Sequence, residues 1–467
     1  MKNILLINPY SKTISGVNRA TIEPPLGLAY IASLLESKGH RCQIIDAQIL
    51  CISAKDIISH IKFKPDIIGI SANIVTYPAA LKVAEKLRSE FKDTFIILGG
   101  PYPSSLPEVA LNNPYIDAVV IGEGELTMQE VVDKLEKGEE PFLNTEGLAY
   151  KYNGKIIFNN SRKLIEDLDI LPYPAYHLLP DLKIYKSRAR KLPVGQIFTS
   201  RGCPYQCIFC NKNIFGHKFR ARNPLNVIGE IEWLIEKYKI KQLDILDDNF
   251  NFDLSRAKEI FKLIIERNYK LAINLQNGLR IDNIDNEFLD LMKESGVFKI
   301  SLGIESTVPS IQKRIKKILD LNKVKYVIKE AQKRKIIVYA NFILGLPGDT
   351  PQTMQETIKF AIDSSADIAN FMIALPLPGT EMYEEIKTKG YFLVSIENGV
   401  EKGFYANQIF YELEDTKAKD VLRYYRKAYK NFYFRVEWII NSLKTIRSYG
   451  ELLWFKDAII ELIKSNF

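Results

Sequence analysis

Short apolar runs recur along the first third of the chain, separated by stretches with helical spacing. The runs are residues 4–7, 42–45, 67–70, 95–98 and 118–121. Between them Leu26, Tyr30 and Leu34 repeat every four residues, and residues 77–91 have the period of a second helix. Continuous apolar runs of this length suit strands covered on both faces, and their alternation with helices predicts a doubly wound parallel sheet over residues 1–135. Ligands of such sheets bind beyond the carboxyl ends of the strands. Those ends read Asn8-Pro9-Tyr10, Ser71-Ala72-Asn73, Gly99-Gly100-Pro101 and Gly122-Glu123-Gly124-Glu125. Glycine there permits close backbone approach to a ligand, and equally permits plain loop closure.

A second alternation starts near residue 194. Its apolar runs are residues 194–199, 242–246, 271–275, 298–302, 336–342 and 368–374, with helical stretches such as 224–238 and 350–364. The pattern predicts six strand–helix units over residues 193–378. Residues 136–192 read as a connector, with Asn153-Gly154 between two strand-like runs as a hairpin signal. His177 in this stretch, like His40 and His60 earlier, reads as structural. Residues 379–467 read as a helical C-terminal region.

The chemistry concentrates just after the first strand of the second alternation. Cys203, Cys207 and Cys210, three of five cysteines, are spaced C-x3-C-x2-C between Gly202 and Asn211. Thiolates are soft ligands for iron–sulfur clusters and zinc. Three of them leave one iron of a four-iron cluster open to a substrate or cofactor. The rival is a zinc site completed by His217, against which stands the usual pairing of zinc ligands with a second, distant pair.

The motif C-x3-C-x-aromatic-C on such a loop resembles the radical S-adenosylmethionine superfamily. The resemblance implies a partial (β/α)6 barrel and a [4Fe–4S] cluster on Cys203, Cys207 and Cys210. Its open iron would chelate S-adenosylmethionine, with Phe209 near the adenine. It also implies contacts at the strand ends, with Asp247 of the pair Asp247-Asp248 for the methionine amino group; Arg280 can hold a carboxylate of methionine or of substrate. Glu305 would meet the ribose or amino group, and Gly345 and Pro347 the adenine. Pro24-Pro25-Leu26-Gly27-Leu28, Gly99-Gly100-Pro101 and Pro378-Gly379-Thr380 resemble the subset that carries an N-terminal cobalamin-binding domain. In that subset Ser71, Gly99, Gly100, Tyr102, Gly122 and Glu123 would line cobalamin. Tyr102 stands where many relatives have histidine, so no imidazole is expected below cobalt. The implied chemistry is reductive cleavage of S-adenosylmethionine to a 5′-deoxyadenosyl radical, then methylation of an unactivated carbon. A cobalamin-linked cyclisation or rearrangement is the second reading, and a non-catalytic corrinoid sensor or carrier the third. A methylthiotransferase needs a second three-cysteine cluster, which Cys42 and Cys51 cannot supply.

Composition narrows the partners. With 46% hydrophobic and 26% charged residues the chain can build cores. Its cysteine usage suits a reducing, cytoplasmic setting, and no uncharged apolar run is long enough to span a membrane. The net charge is +8. Basic runs at residues 186–191 and 313–317 read as solvated faces before anionic-surface sites. Tyr424, Tyr425, Tyr429, Phe432, Tyr433, Phe434, Trp438 and Trp454 crowd the C-terminal region among lysines and arginines. Helices packed across the barrel are the first reading there, and peripheral membrane contact the second. The expected partners are a small-molecule or lipid-like substrate and an electron donor such as flavodoxin or ferredoxin, with no nucleic acid.

Overall fold

The computed structural model describes residues 1–11, 22–186, 189–397, 408–438 and 440. They form two compact units. The first contains Met1–Ala189, Asn211–Asn223 and a return segment from Ser395; the second contains Arg190–Cys210, Pro224–Val394 and the chain from Lys402 onward.

The first unit is built on a seven-stranded sheet. Its strands are β1 (Asn3–Asn8), β2 (Arg41–Asp46), β3 (Ile67–Ser71), β4 (Phe95–Gly99), β5 (Ala118–Val120), β6 (Leu148–Tyr152) and β7 (Lys155–Phe158). The order is β2-β1-β3-β4-β5-β6-β7, parallel through β5. All five apolar runs become strands, because each is buried on both faces; Ile4, Leu6, Ile67, Ile97 and Ala118 are at most 1% exposed. The hairpin forms on Asn153 and Gly154, both at positive φ (48° and 76°), as a two-residue I′ turn demands. It does not stand apart as a connector element: β6 pairs antiparallel with β5, Val119 opposite Ala149. Local turn chemistry announces a hairpin but cannot say which edge it will extend.

The second unit carries a six-stranded parallel sheet. Its strands are β8 (Val194–Ile197), β9 (Gln242–Ile245), β10 (Ala272–Leu279), β11 (Val297–Glu305), β12 (Ile337–Leu344) and β13 (Ile368–Ile373), in sequential order from one edge to the other. Helices return between them, several started by an acceptor at the N-cap. Asp253 caps Leu254–Glu266, Asp285 caps Asn286–Ser295, Asp320 caps Leu321–Lys333, and Thr350 makes a capping box on Pro351–Asp363. Strands β10 and β11 run past the ends expected from their apolar runs, taking in Gln276-Asn277-Gly278 and Gly303-Ile304-Glu305. Both extensions carry register shifts, and such bulges commonly re-aim side chains beside active sites.

The aromatic C-terminal stretch has a local explanation. Helix Ala418–Tyr433 buries Val421, Tyr425, Ala428 and Phe432. Tyr429 donates to the Phe371 carbonyl (2.9 Å), Tyr433 to that of Ala369 (2.8 Å) and the Trp438 indole to that of Asp367 (2.7 Å). These alternate carbonyls belong to edge strand β13 and its approach, so the aromatics satisfy an otherwise open sheet edge. Trp454 lies outside the described residues. Among those described, no helix is long and apolar enough to cross a membrane.

Candidate active site at the barrel strand ends

Beyond β8 the cysteine loop turns at Gly202, whose φ of +81° is a glycine conformation. Ile208, 3% exposed, anchors it. The Ile208 amide donates to the Ile315 carbonyl (3.2 Å), and its carbonyl accepts from the Met382 amide (3.0 Å). Pinning the middle residue leaves the flanking thiols on the accessible side. Cys203, Cys207 and Phe209 are half-buried and Cys210 is exposed. The Cys210 amide closes a turn on the Cys207 carbonyl (3.2 Å). Asn249 aims its side-chain amide at Cys203 Sγ (3.9 Å), while its buried Oδ1 has no donor. Among the described residues no three His, Cys, Asp or Glu side chains converge on a single ion, and His217 is exposed.

The acidic pair after β9 divides its work. Asp247 is 2% exposed and faces inward. It accepts from the Thr199 amide (2.6 Å), the Thr199 hydroxyl and the Ser200 hydroxyl (2.6 Å), so it ties the start of the cysteine loop to β9. Burial pushes its pKa up, against the pull of Arg256 and these donors. Asp248 is the exposed member and accepts from the Gly202 amide (3.2 Å). Sequence reasoning named the pair but chose the buried residue. Nothing in a one-residue offset reveals which side chain a tight turn directs outward.

Arg280 lies just past β10, with its guanidinium 4.3 Å from the centre of the Tyr205 ring in the cysteine loop. It pairs with Asp282 (2.8 Å) and donates to the Ile318 carbonyl (3.2 Å), and its buried Nε has no partner. Glu305 ends β11 in a left-handed conformation (φ 66°) and is 7% exposed. Lys317 holds its Oε1 at 2.8 Å, while the buried Oε2 has no donor. Gly345 and Pro347 are buried, and the polar groups around them are largely engaged. The Gly345 and Leu346 amides donate to Asp349 Oδ2 (3.0 Å each), and Tyr411 donates to the Gly345 carbonyl. Burial raises the Asp349 pKa to about 6.

In the first unit the predicted cofactor residues are mostly engaged by the chain itself. Both oxygens of Glu123 accept from Arg220 Nη1 (2.9 Å each), and Oε2 also accepts from the Ile165 amide (2.9 Å). Both side chains are at least 96% buried. Arg220, ninety-seven residues away, carries no sequence signal of this pairing. The Tyr102 hydroxyl donates to the carbonyls of Glu397 (2.6 Å) and Ile396 (3.1 Å), and its ring packs on Tyr77. Gly100, at φ +101°, has no room for a side chain: a Cβ would lie 2.7 Å from the Ala72 carbonyl oxygen. Gly99 differs, since a Cβ there would meet only Val120, at an ordinary 3.8 Å. Ser71 ends β3 half-buried, and Gly122 turns at φ +84° with its amide on Ser104 Oγ (3.1 Å).

Two protein families match this chain: the B12 binding domain over residues 13–132 and the radical SAM superfamily over residues 197–361. An uncharacterized methyltransferase of Pyrococcus horikoshii is 35% identical over 446 residues, spanning 95% of each chain. The cytidylyl-2-hydroxyethylphosphonate methyltransferase of Streptomyces wedmorensis is 31% identical over 448 residues, 84% of this chain and 82% of the relative. Among solved structures, the cobalamin-dependent S-adenosylmethionine radical enzyme OxsB with aqua-cobalamin bound shares the fold. The TM-score is 0.74 at 18% identity, over 99% of this chain and 71% of that one. Two family matches in series and near full-length similarity to a methyltransferase identify the chain as a member of the cobalamin-binding radical S-adenosylmethionine methyltransferases, with a [4Fe–4S] cluster, S-adenosylmethionine and cobalamin as cofactors.

Proposed function

We propose that this enzyme methylates an unactivated carbon of a polar small molecule, with Cys203, Cys207 and Cys210 as the cluster ligands. The carrying observation is the pinned cysteine loop beside buried polar atoms that lack partners, Asn249 Oδ1, Arg280 Nε and Glu305 Oε2. Unsatisfied buried polar groups are costly unless a ligand completes them. When bound, the reduced cluster supplies the electron that cleaves S-adenosylmethionine, and cobalamin supplies the methyl carrier. The protein's share is placement. Asp248 offers an exposed carboxylate to the methionine ammonium, while Asp247 holds the loop. Arg280 exchanges Asp282 for the methionine carboxylate, a bidentate pairing suited to guanidinium. Glu305 Oε2 accepts from a ribose hydroxyl. Phe209 covers the adenine.

Residues 1–135 form the cobalamin domain in this reading, with Ser71, Gly99 and Gly122 at the strand ends that meet the cofactor. Within residues 136–192 the hairpin β6–β7 extends that domain's sheet and the remainder connects it onward, with 193–378 the radical barrel and 379–467 the C-terminal region. Polarity of the substrate is inferred from β11–β13. Asn370 donates to Asn341 (2.9 Å), and Asn341 donates to Ser301 (2.7 Å), all on one sheet face. An amide-lined wall favours a hydrogen-bonding substrate over a lipid-like one.

Two measurements test this. Anaerobically reconstituted protein should hold about four irons per chain, lost on Cys203→Ala, Cys207→Ala or Cys210→Ala and unchanged on Cys42→Ala or Cys51→Ala. Cys42 is buried and its pKa is pushed up to about 12, so it is a poor source of thiolate. Stoichiometric zinc without iron–sulfur absorption would sink the assignment. With reductant and S-adenosylmethionine, the enzyme should form both 5′-deoxyadenosine and S-adenosylhomocysteine. 5′-Deoxyadenosine alone would point to cyclisation or rearrangement.

A further inference from the structure

The basic run near residue 315 is a solvated face only in part: Lys313 and Lys316 are exposed, while Arg314 and Lys317 are partly buried. Arg314 pairs with Glu385 and Asp415 (2.8 Å each), Lys316 with Glu381 (2.5 Å) and Lys317 with Glu305 (2.8 Å). More telling is what four consecutive residues touch. The Ile315 carbonyl accepts from the Ile208 amide at the centre of the cysteine loop (3.2 Å). The Lys316 carbonyl lies 4.0 Å from Cys207 Sγ. Lys317 Nζ holds Glu305 Oε1, and the Ile318 carbonyl holds Arg280 Nη2 (3.2 Å). Buried Gln312 braces the segment from behind, donating to the Ser306 carbonyl (3.0 Å) and accepting from the Leu319 amide (3.3 Å). Gly303 leaves the space: a Cβ there would stand 2.6 Å from Lys317 Nζ and 2.8 Å from Glu305 Oε1.

We propose that Lys317 is a positioning residue for S-adenosylmethionine. It fixes one oxygen of Glu305 so that the other, buried and without a donor, is presented to a hydroxyl or ammonium of the ligand. Through residues 315–318 it holds that oxygen in register with the cysteine loop and Arg280. The inference rests on the reading that Glu305 meets S-adenosylmethionine. Lys317 thereby sets the acceptor's orientation, since an unpaired carboxylate would be free to turn.

The test uses full-length reconstituted protein and the equilibrium binding of S-adenosylmethionine by titration calorimetry, with iron content and melting temperature measured alongside. Lys317→Met should keep its iron and weaken binding about tenfold, equivalent to about 1.4 kcal/mol. Lys317→Arg should recover most of that loss, and KM should rise more than kcat falls. Glu305→Gln should weaken binding similarly, and the double variant should bind no worse than the weaker single one, because both act at one contact. Gly303→Ala, which displaces Nζ without removing a charge, should reproduce the defect. Unchanged affinity in Lys317→Met would overturn the proposal. So would losses that multiply in the double variant, or iron lost together with binding. If the wild-type protein holds four irons and binds no S-adenosylmethionine, the reading of the site falls and the proposal with it.

Discussion

At the end of β5, Glu123 has both oxygens closed by Arg220 and the Ile165 amide; at the end of β11, Glu305 has one oxygen held by Lys317 and the other open. Both carboxylates are buried, both follow a parallel strand, and both stand beside a glycine in the sequence or across the turn. In the sequence they look alike. The structure makes Glu123 a closure of the fold and Glu305 an acceptor awaiting a ligand. A buried charge whose partners are complete is doing structural work, whereas one left half-satisfied marks where something else must bind.

Breaking the closed pair should have the larger effect on stability. Arg220→Met strands the Glu123 carboxylate in the interior and should destabilise the cofactor-free protein by roughly 3–5 kcal/mol, seen as a lower midpoint in urea. A shift no larger than that of a surface substitution would show that Glu123 is not structural. The neighbouring glycines sharpen the same contrast. Gly100→Val places a branched side chain at positive φ against the Ala72 backbone and should cost roughly 2–4 kcal/mol even without cobalamin. Gly99→Ala should leave that midpoint in place, so any cobalamin it fails to retain reports contact with the cofactor. Equal destabilisation by both would remove Gly99 as a probe of the cofactor.

The smallest effect concerns Asp349. Its folded pKa of about 6 lies above the ordinary aspartate value of 3.8, because burial disfavours the charged form. Protonation therefore favours the folded state, and stability should fall as pH rises from about 4 to about 6, then level off. Asp349→Asn keeps an acceptor for the Gly345 and Leu346 amides and carries no charge to bury. It should flatten that slope and gain on the order of 1–3 kcal/mol at pH 7. Parallel pH profiles for the two proteins would refute the assignment.

Much of the architecture was legible in the order of residues. Strands buried on both faces leave uninterrupted apolar runs, Asn153-Gly154 dictates its turn, and helix Pro224–Tyr238 begins and ends where its period does. The cysteine loop was legible because its chemistry is local. Less legible were contacts made across long separations. Arg220 meets Glu123, Tyr102 meets Glu397, and Lys317 meets Glu305 through backbone bends that no short window contains. Strand ends were also less legible: Gln276-Asn277-Gly278 and Gly303-Ile304-Glu305 lie beyond the apolar runs but continue their strands through bulges. The Asp247–Asp248 pair was found, but its division into inward and outward members depends on a rotation about one turn.

The aromatic clasp on β13 has a consequence for how the protein is made. An exposed parallel edge is a template on which another chain can add a strand, the first step toward aggregation. Tyr429, Tyr433 and Trp438 follow that strand by some sixty residues, so a growing polypeptide presents the bare edge before its cover is synthesised. Shortening the chain ahead of residue 418 would make that brief exposure permanent. The expected product is a protein that begins to fold and precipitates, although every cluster ligand is present.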